Sequence, residues 1–124
     1  IIQLCRSNSQ QIPGINEVVN AQVSNFDLFA LLAVTNKRLL IDSCLHHAAA
    51  ALKLKSTVLW IGTSPKMFGY ELHDNIVANP PKNNLNLMNS YLFDYDFAGA
   101  FHECPYMDQE EMFNVKDILK QLAL

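Results

Sequence analysis

Nine consecutive residues, Asp42-Ser43-Cys44-Leu45-His46-His47-Ala48-Ala49-Ala50, place a carboxylate, a hydroxyl, a thiol and two imidazoles directly ahead of an alanine run. The apolar triplet Leu39-Leu40-Ile41 precedes them and reads as a buried strand. Residues 46–54 are alanine-rich and should be helical. A strand ends, a small hydroxyl residue follows, and a helix begins at once. The first turn of a helix carries unpaired N–H groups at the positive end of its dipole, and this makes an anion site. Ser43 adds a hydroxyl donor, and His47, about one turn in, adds a ring donor for a phosphate oxygen. The chemistry expected of this loop is the holding of an anion.

Plainer roles stand beside that one. Asp42 or Ser43 serves as an N-cap, and His46 serves in packing or faces solvent. Cys44, His46 and His47 raise the question of a metal, but no second cluster sits at ligand spacing, so zinc is not expected.

The elements that would position these residues follow from the rest of the chain. Residues 1–5 read as a short buried strand, with no signal peptide ahead of them. Pro13-Gly14 is a turn signal, and Glu17-Val18-Val19 a brief second strand. Ser24 caps a helix, Asp27 returns the bond, and Phe26, Phe29, Ala30 and Ala33 recur at helical spacing up to about Thr35-Asn36. Thr57-Val58-Leu59-Trp60-Ile61 is β-branched and apolar and forms the next strand, broken by Gly62-Thr63-Ser64-Pro65. Ile76-Val77-Ala78 is a further short strand, stopped by Pro80-Pro81. A short helix is expected over residues 85–92 and irregular chain over 94–105. Met112, Val115, Ile118, Leu119 and Leu122 make an amphipathic helix, capped by Asp108 with Glu111 or by Asn114 with Asp117.

Strands alternating with helices imply an α/β fold with a mostly parallel sheet covered on both faces. Ligands in such folds sit beyond the carboxyl ends of the strands. Residues 42–47 and 62–70 then lie on one rim and frame one site.

The totals agree with a single domain over residues 1–124, of which 83–124 form a tail and helix. Half of the residues are hydrophobic and 17% are charged, enough to bury a core without covalent staples. No stretch approaches the roughly 20 apolar residues of a membrane span. The net charge of −3 argues against nucleic acid as a partner. Three widely spaced cysteines, Cys5, Cys44 and Cys104, fit a reducing, cytoplasmic setting. Between Lys82 and Lys116 the chain has no Lys or Arg, but it has Asp94, Asp96, Glu103, Asp108, Glu110 and Glu111. Tyr91, Phe93, Tyr95, Phe97, Phe101 and Tyr106 are interleaved with them. This tail is either solvated and packed in the ordinary way or the binding surface of a non-catalytic interaction domain on a Rossmann-like frame.

The run Asp42-Ser43-Cys44-Leu45-His46-His47-Ala48-Ala49-Ala50-Ala51-Leu52 resembles the D-[ST]-G-x-x-H-x-A-A-A-L signature of the heptosyltransferase-like glycosyltransferases. Ser56-Thr57-Val58-Leu59-Trp60-Ile61-Gly62-Thr63-Ser64-Pro65 is similar to the strand and G-x-[TS]-x-P loop that follow it, and Lys66-Met67-Phe68-Gly69-Tyr70, with His73 and Asn75, to their continuation in some branches. The resemblance covers roughly residues 1–80, with 42–65 as its specific part. It implies a three-layer Rossmann-like domain corresponding to the C-terminal, donor-binding half of a GT-B enzyme. That half holds the nucleotide diphosphate of a sugar donor, for transfer of a hexose or heptose to a glycan or lipopolysaccharide-type acceptor. Residue by residue, Asp42 would face the donor sugar or order the loop. Ser43 and the N–H of Cys44 would contact phosphate, and His47 would support the diphosphate. Thr63 and Ser64 would line the neighbouring loop, and Val23 would touch the nucleobase. The resemblance implies an N-terminal acceptor-binding domain that supplies the catalytic base, and a first, central strand. Neither lies in these 124 residues, so a missing domain or a homodimer partner is expected to complete the protein.

Two sequence features refine these expectations. Cys44 replaces the signature's glycine, which would cost of order 1 kcal/mol if the position requires φ > 0. Asp94-Tyr95-Asp96 is the one Asp-x-Asp spacing, and it falls in the acidic tail. Donor binding is therefore expected to need no metal.

Overall fold

The computed structural model describes residues 1–5, 11–20, 22–61, 63–79 and 109–122. It is α/β, with short parallel strands in two small sheets, and the chain divides into two compact units, Ile1–Thr35 and Asn36–Leu124. The expected helix over 85–92, the irregular stretch 94–105 and the acidic, aromatic-rich tail lie outside the described residues.

In the Ile1–Thr35 unit, β1 (Ile2–Cys5) pairs in parallel with β2 (Glu17–Asn20), Ile2 opposite Glu17. Gly14 has φ +85° in the turn before β2, where the amide of Ile15 reaches the carbonyl of Ile12. A positive φ at the third turn position is what glycine after proline supplies. Helix α1 (Asn25–Val34) begins at Ser24, whose hydroxyl accepts from the Asp27 amide at 3.2 Å. The return bond differs from the sequence expectation: Asp27 accepts from the Ser24 hydroxyl at 2.6 Å rather than from the Ser24 backbone. Aspartate is one methylene shorter than the glutamate of a full capping box. The helix is apolar on nearly every side, so Leu32 alone is buried and Phe26 remains 80% exposed.

In the Asn36–Leu124 unit, β3 (Leu39–Ile41), β4 (Thr57–Trp60) and β5 (Asp74–Val77) form a parallel sheet in that order. Leu40 pairs with Val58, and Val58 with Asn75. Side chains alternate across the pleat. Leu40, Val58 and Trp60 are buried on one face, whereas Leu39 and Ile41 on the other stay largely exposed. Helix α2 (Cys44–Ala51) covers the buried face, with Ala49 fully buried. It starts two residues before the alanine-rich stretch because Ser43 caps it.

Its other end is set by Lys53, which takes φ 58°. The amides of Lys53 and Leu54 close back on the carbonyls of Ala50 and Ala49 at 2.9 and 2.8 Å. This is a left-handed helix stop normally given to glycine. Lys53→Gly is expected to raise stability by about 0.5–1 kcal/mol, because a side chain in this region costs about 1–2 kcal/mol. A urea unfolding midpoint that does not rise would refute it.

Helix α3 (Pro65–Phe68) follows β4, and among the described residues after β5 a 3-10 turn (Gln109–Glu111) precedes α4 (Val115–Leu122), which packs against β4. Of the two capping choices, Asn114 is the one realised: its side chain accepts from the Lys116 amide at 3.1 Å. Met112 therefore falls ahead of the helix instead of within it, and packs on Ala78 with Ile61 and Phe113. Among the described residues, no helix is long and apolar enough to cross a membrane.

Candidate functional site

Two strand-to-helix connections meet at the carboxyl ends of β3 and β4, the rim expected from the alternation of elements. The Thr63 hydroxyl donates to Oδ2 of Asp42 and ties one loop to the other. Asp42 is thus a loop clasp, and the helix cap is Ser43. The Ser43 hydroxyl accepts from the Leu45 amide at 3.4 Å, and its carbonyl from the His46 amide at 3.2 Å.

His46 is neither solvent-exposed nor a passive filler. It is 0% exposed, and its Nδ1 accepts from the Ser43 amide at 3.1 Å. An imidazole occupies the place that Glu or Gln holds in a capping box. A ring nitrogen that accepts carries no proton, so the proton lies on Nε2, which donates to the Phe68 carbonyl at 3.2 Å. One buried ring thereby joins the start of α2 to the end of α3. Its edge meets Trp60, with ring centres 5.2 Å apart. His73, also buried, donates from Nε2 to the His46 carbonyl at 3.0 Å. Its own Nδ1 has no partner among the described residues.

His47 is on the exposed side of α2, with Nδ1 2.8 Å from the Tyr70 hydroxyl. Gly69 ends α3 in close approach to its first turn: its amide donates to the Pro65 carbonyl, and a Cβ there would lie 2.5 Å from that oxygen. Ser64 caps α3 through the Lys66 amide at 3.3 Å. Cys44 is exposed in the first turn of α2. Among the described residues only Gly14 and Lys53 have positive φ, so the strain anticipated for Cys44 does not arise. The backbone there is ordinary helix. Val23 lies in the Ile1–Thr35 unit, half-buried, just before the Ser24 cap.

Ligand atoms of Asp42, His46 and His47 fall within 4.8 Å of one another. The donor chemistry does not favour a cation. Both ring nitrogens of His46 are already committed, one as acceptor from Ser43 and one as donor to Phe68. Asp42 and His47 alone would be left, short of the three or four protein ligands a zinc site uses.

At the opposite, amino ends of the same strands a cleft of about 240 Å³ opens between Arg38, Lys55, Asp74 and Gln121. Burial holds the Arg38 guanidinium below its usual range. It donates to the Lys55 carbonyl at 3.1 Å, and Lys55 pairs with Asp74 at 3.0 Å. With Lys55 mostly in solvent, such a pair contributes little, and the cleft is remote from the rim in the fold.

Family models, curated proteins and solved structures were each searched, and none matches the chain. The residues that sequence reasoning passed over are Trp60, Tyr70, His73 and Asn75 as supports of the site. For His46, expected to pack or face solvent, a usable signal was present: a histidine three residues after a capping serine can close the capping box.

Proposed function

We propose that the rim of residues 42–47 and 63–70 holds the diphosphate of a nucleotide sugar, and that the chain is the donor-binding part of a heptosyltransferase-like glycosyltransferase. The observation that carries this reading is the Thr63–Asp42 bond, which draws the two signature loops together around the start of α2. Ser43 already takes the Leu45 and His46 amides, so the Cys44 amide at the start of α2 and the exposed His47 ring are the donors this reading offers to the phosphates. As the sugar leaves, negative charge grows on the diphosphate, and fixed N–H donors stabilise it without reorganising. The reading assigns no catalytic base to these 124 residues.

The strand order supports a Rossmann-like half. In the order 3-2-1-4-5-6 the strands of each wing are parallel, sequential neighbours. The two sheets observed, β1-β2 and β3-β4-β5, have those neighbours.

Calorimetric titration with uridine, guanosine and adenosine diphosphates, with and without magnesium, tests the proposal. Binding of at least one is expected without magnesium. Ser43→Ala and His47→Ala should each weaken it about ten-fold, the equivalent of one charge-assisted hydrogen bond. A folded chain that binds none of the three refutes the donor reading, and strict magnesium dependence refutes the metal-free one.

A further inference from the structure

The contact between His47 and Tyr70 joins residues 23 positions apart in the sequence, and nothing in the signature run accounts for it. Tyr70 is itself firmly placed. Its carbonyl accepts from the His73 amide and from Nδ2 of Asn75, both at 3.0 Å. Asn75 Nδ2 also reaches the His73 carbonyl at 3.2 Å, and its Oδ1 accepts from the indole N–H of Trp60 at 2.9 Å. Trp60 is fully buried in β4. A chain of hydrogen bonds therefore runs from the core of the sheet through Asn75 to the backbone of Tyr70. The phenol then extends to His47, with the two rings edge to face at 5.6 Å.

We propose that Tyr70 is the positioning residue of His47: its hydroxyl donates to Nδ1, so that Nε2 carries the proton and is the ring atom offered to the diphosphate. The inference rests on the donor-binding reading for the identity of the ligand, but not for the positioning itself. The physical reason is that a neutral imidazole has one donor and one acceptor nitrogen, and the bond made by one fixes the role of the other. A free ring at the helix surface would divide its time between two tautomers and several rotamers. In one tautomer a lone pair on Nε2 would meet a phosphate oxygen and repel it. A phenol hydroxyl can donate or accept; by donating to Nδ1 across the 2.8 Å contact, Tyr70 removes that state. Neither residue then needs a metal to act on an anion.

The test uses the full chain labelled with nitrogen-15, at a pH high enough that raising it further no longer moves the ring signals. In the wild type His47 should show a protonated Nε2 and an accepting Nδ1. In Tyr70→Phe, which keeps the ring packed against His46, His47 and His73, the two nitrogen signals should move toward each other as both tautomers are populated. Titration with inorganic pyrophosphate should show Tyr70→Phe binding about five-fold more weakly, the loss of one modest hydrogen bond. In a His47→Ala background the same change should cost nothing further, because its effect passes through His47. A protonated Nδ1 in the wild type, or ring signals unchanged in Tyr70→Phe, overturns the positioning. An equal loss in the His47→Ala background also overturns it and makes Tyr70 a direct ligand contact. If the folded wild type takes up no pyrophosphate, the diphosphate reading falls along with the ligand half of this inference, and the nitrogen spectra still decide whether Tyr70 orients His47.

Discussion

His46→Ala is expected to lower stability by about 3 kcal/mol or more, from two sources that add. Removing a fully buried ring leaves a cavity beside Trp60, and large-to-small changes in a core cost about 2–5 kcal/mol. The change also removes the part-buried hydrogen bonds of His46 to the Ser43 amide and the Phe68 carbonyl, each contributing about 0.5–1.5 kcal/mol. The two groups lie at the ends of different helices, so the start of α2 and the end of α3 loosen together. His46→Gln should recover about 1 kcal/mol of the loss, since glutamine at the third helical position also accepts from the capping residue's amide. Urea unfolding followed by the fluorescence of Trp60, the chain's one tryptophan, reads both variants. A loss under 1 kcal/mol for His46→Ala, or no difference between Ala and Gln, would show that the ring is filler and not a brace.

Trp60→Ala is expected to cost about 3–5 kcal/mol, the range for a buried aromatic replaced by alanine. Trp60 is 0% exposed at the end of the central strand of its sheet, and it meets His46 edge-on. Its indole N–H is also the anchor of Asn75. Trp60→Phe keeps most of the apolar area and loses that bond, so about 1–2 kcal/mol is expected. Circular dichroism during urea unfolding serves here, since the fluorophore is gone. If the Phe variant is as damaging as the Ala variant, the hydrogen bond to Asn75 matters more than the packing, and the support of Tyr70 from the core would be stronger than argued above. If both are harmless, the sheet is not organised around Trp60.

Several elements were legible in the sequence for clear reasons. Leu39-Leu40-Ile41 and residues 57–61 are short apolar runs that read as buried strands; both form strands, Leu39–Ile41 and Thr57–Trp60, although in the first Leu40 alone is buried. Ser24 and Ser43 stand where helix caps are expected, and each caps one; the short helix capped by Ser64 lies where the sequence marks only a strand break. The meeting of the two loops on one rim followed from parallel strands alone. Boundaries were less legible. The α2 helix stops at Ala51 because Lys53 turns left-handed, and lysine announces no such turn. Met112 shares the apolar stripe of α4 but sits outside it, because Asn114 takes the cap.

The sequence alone determined the alternation of strands and helices, and with it the rim on which Asp42, Ser43, His47, Thr63 and Ser64 belong. It also raised the expectation that this loop holds an anion at a helix start. Only the tertiary structure decided what each side chain does there. Asp42 clasps Thr63, His46 braces two helix ends from inside the core, and Tyr70 holds His47. These are contacts between residues 21 to 23 positions apart, apart from the capping bond of His46 to Ser43. The periodicity of a sequence reports which face of one element is apolar. It carries no information on which polar atoms from different elements come within hydrogen-bonding distance, because that depends on how the strands register and where each loop turns. The Asp42–Ala50 run is therefore a sequence feature, whereas the site built around it is a product of the fold.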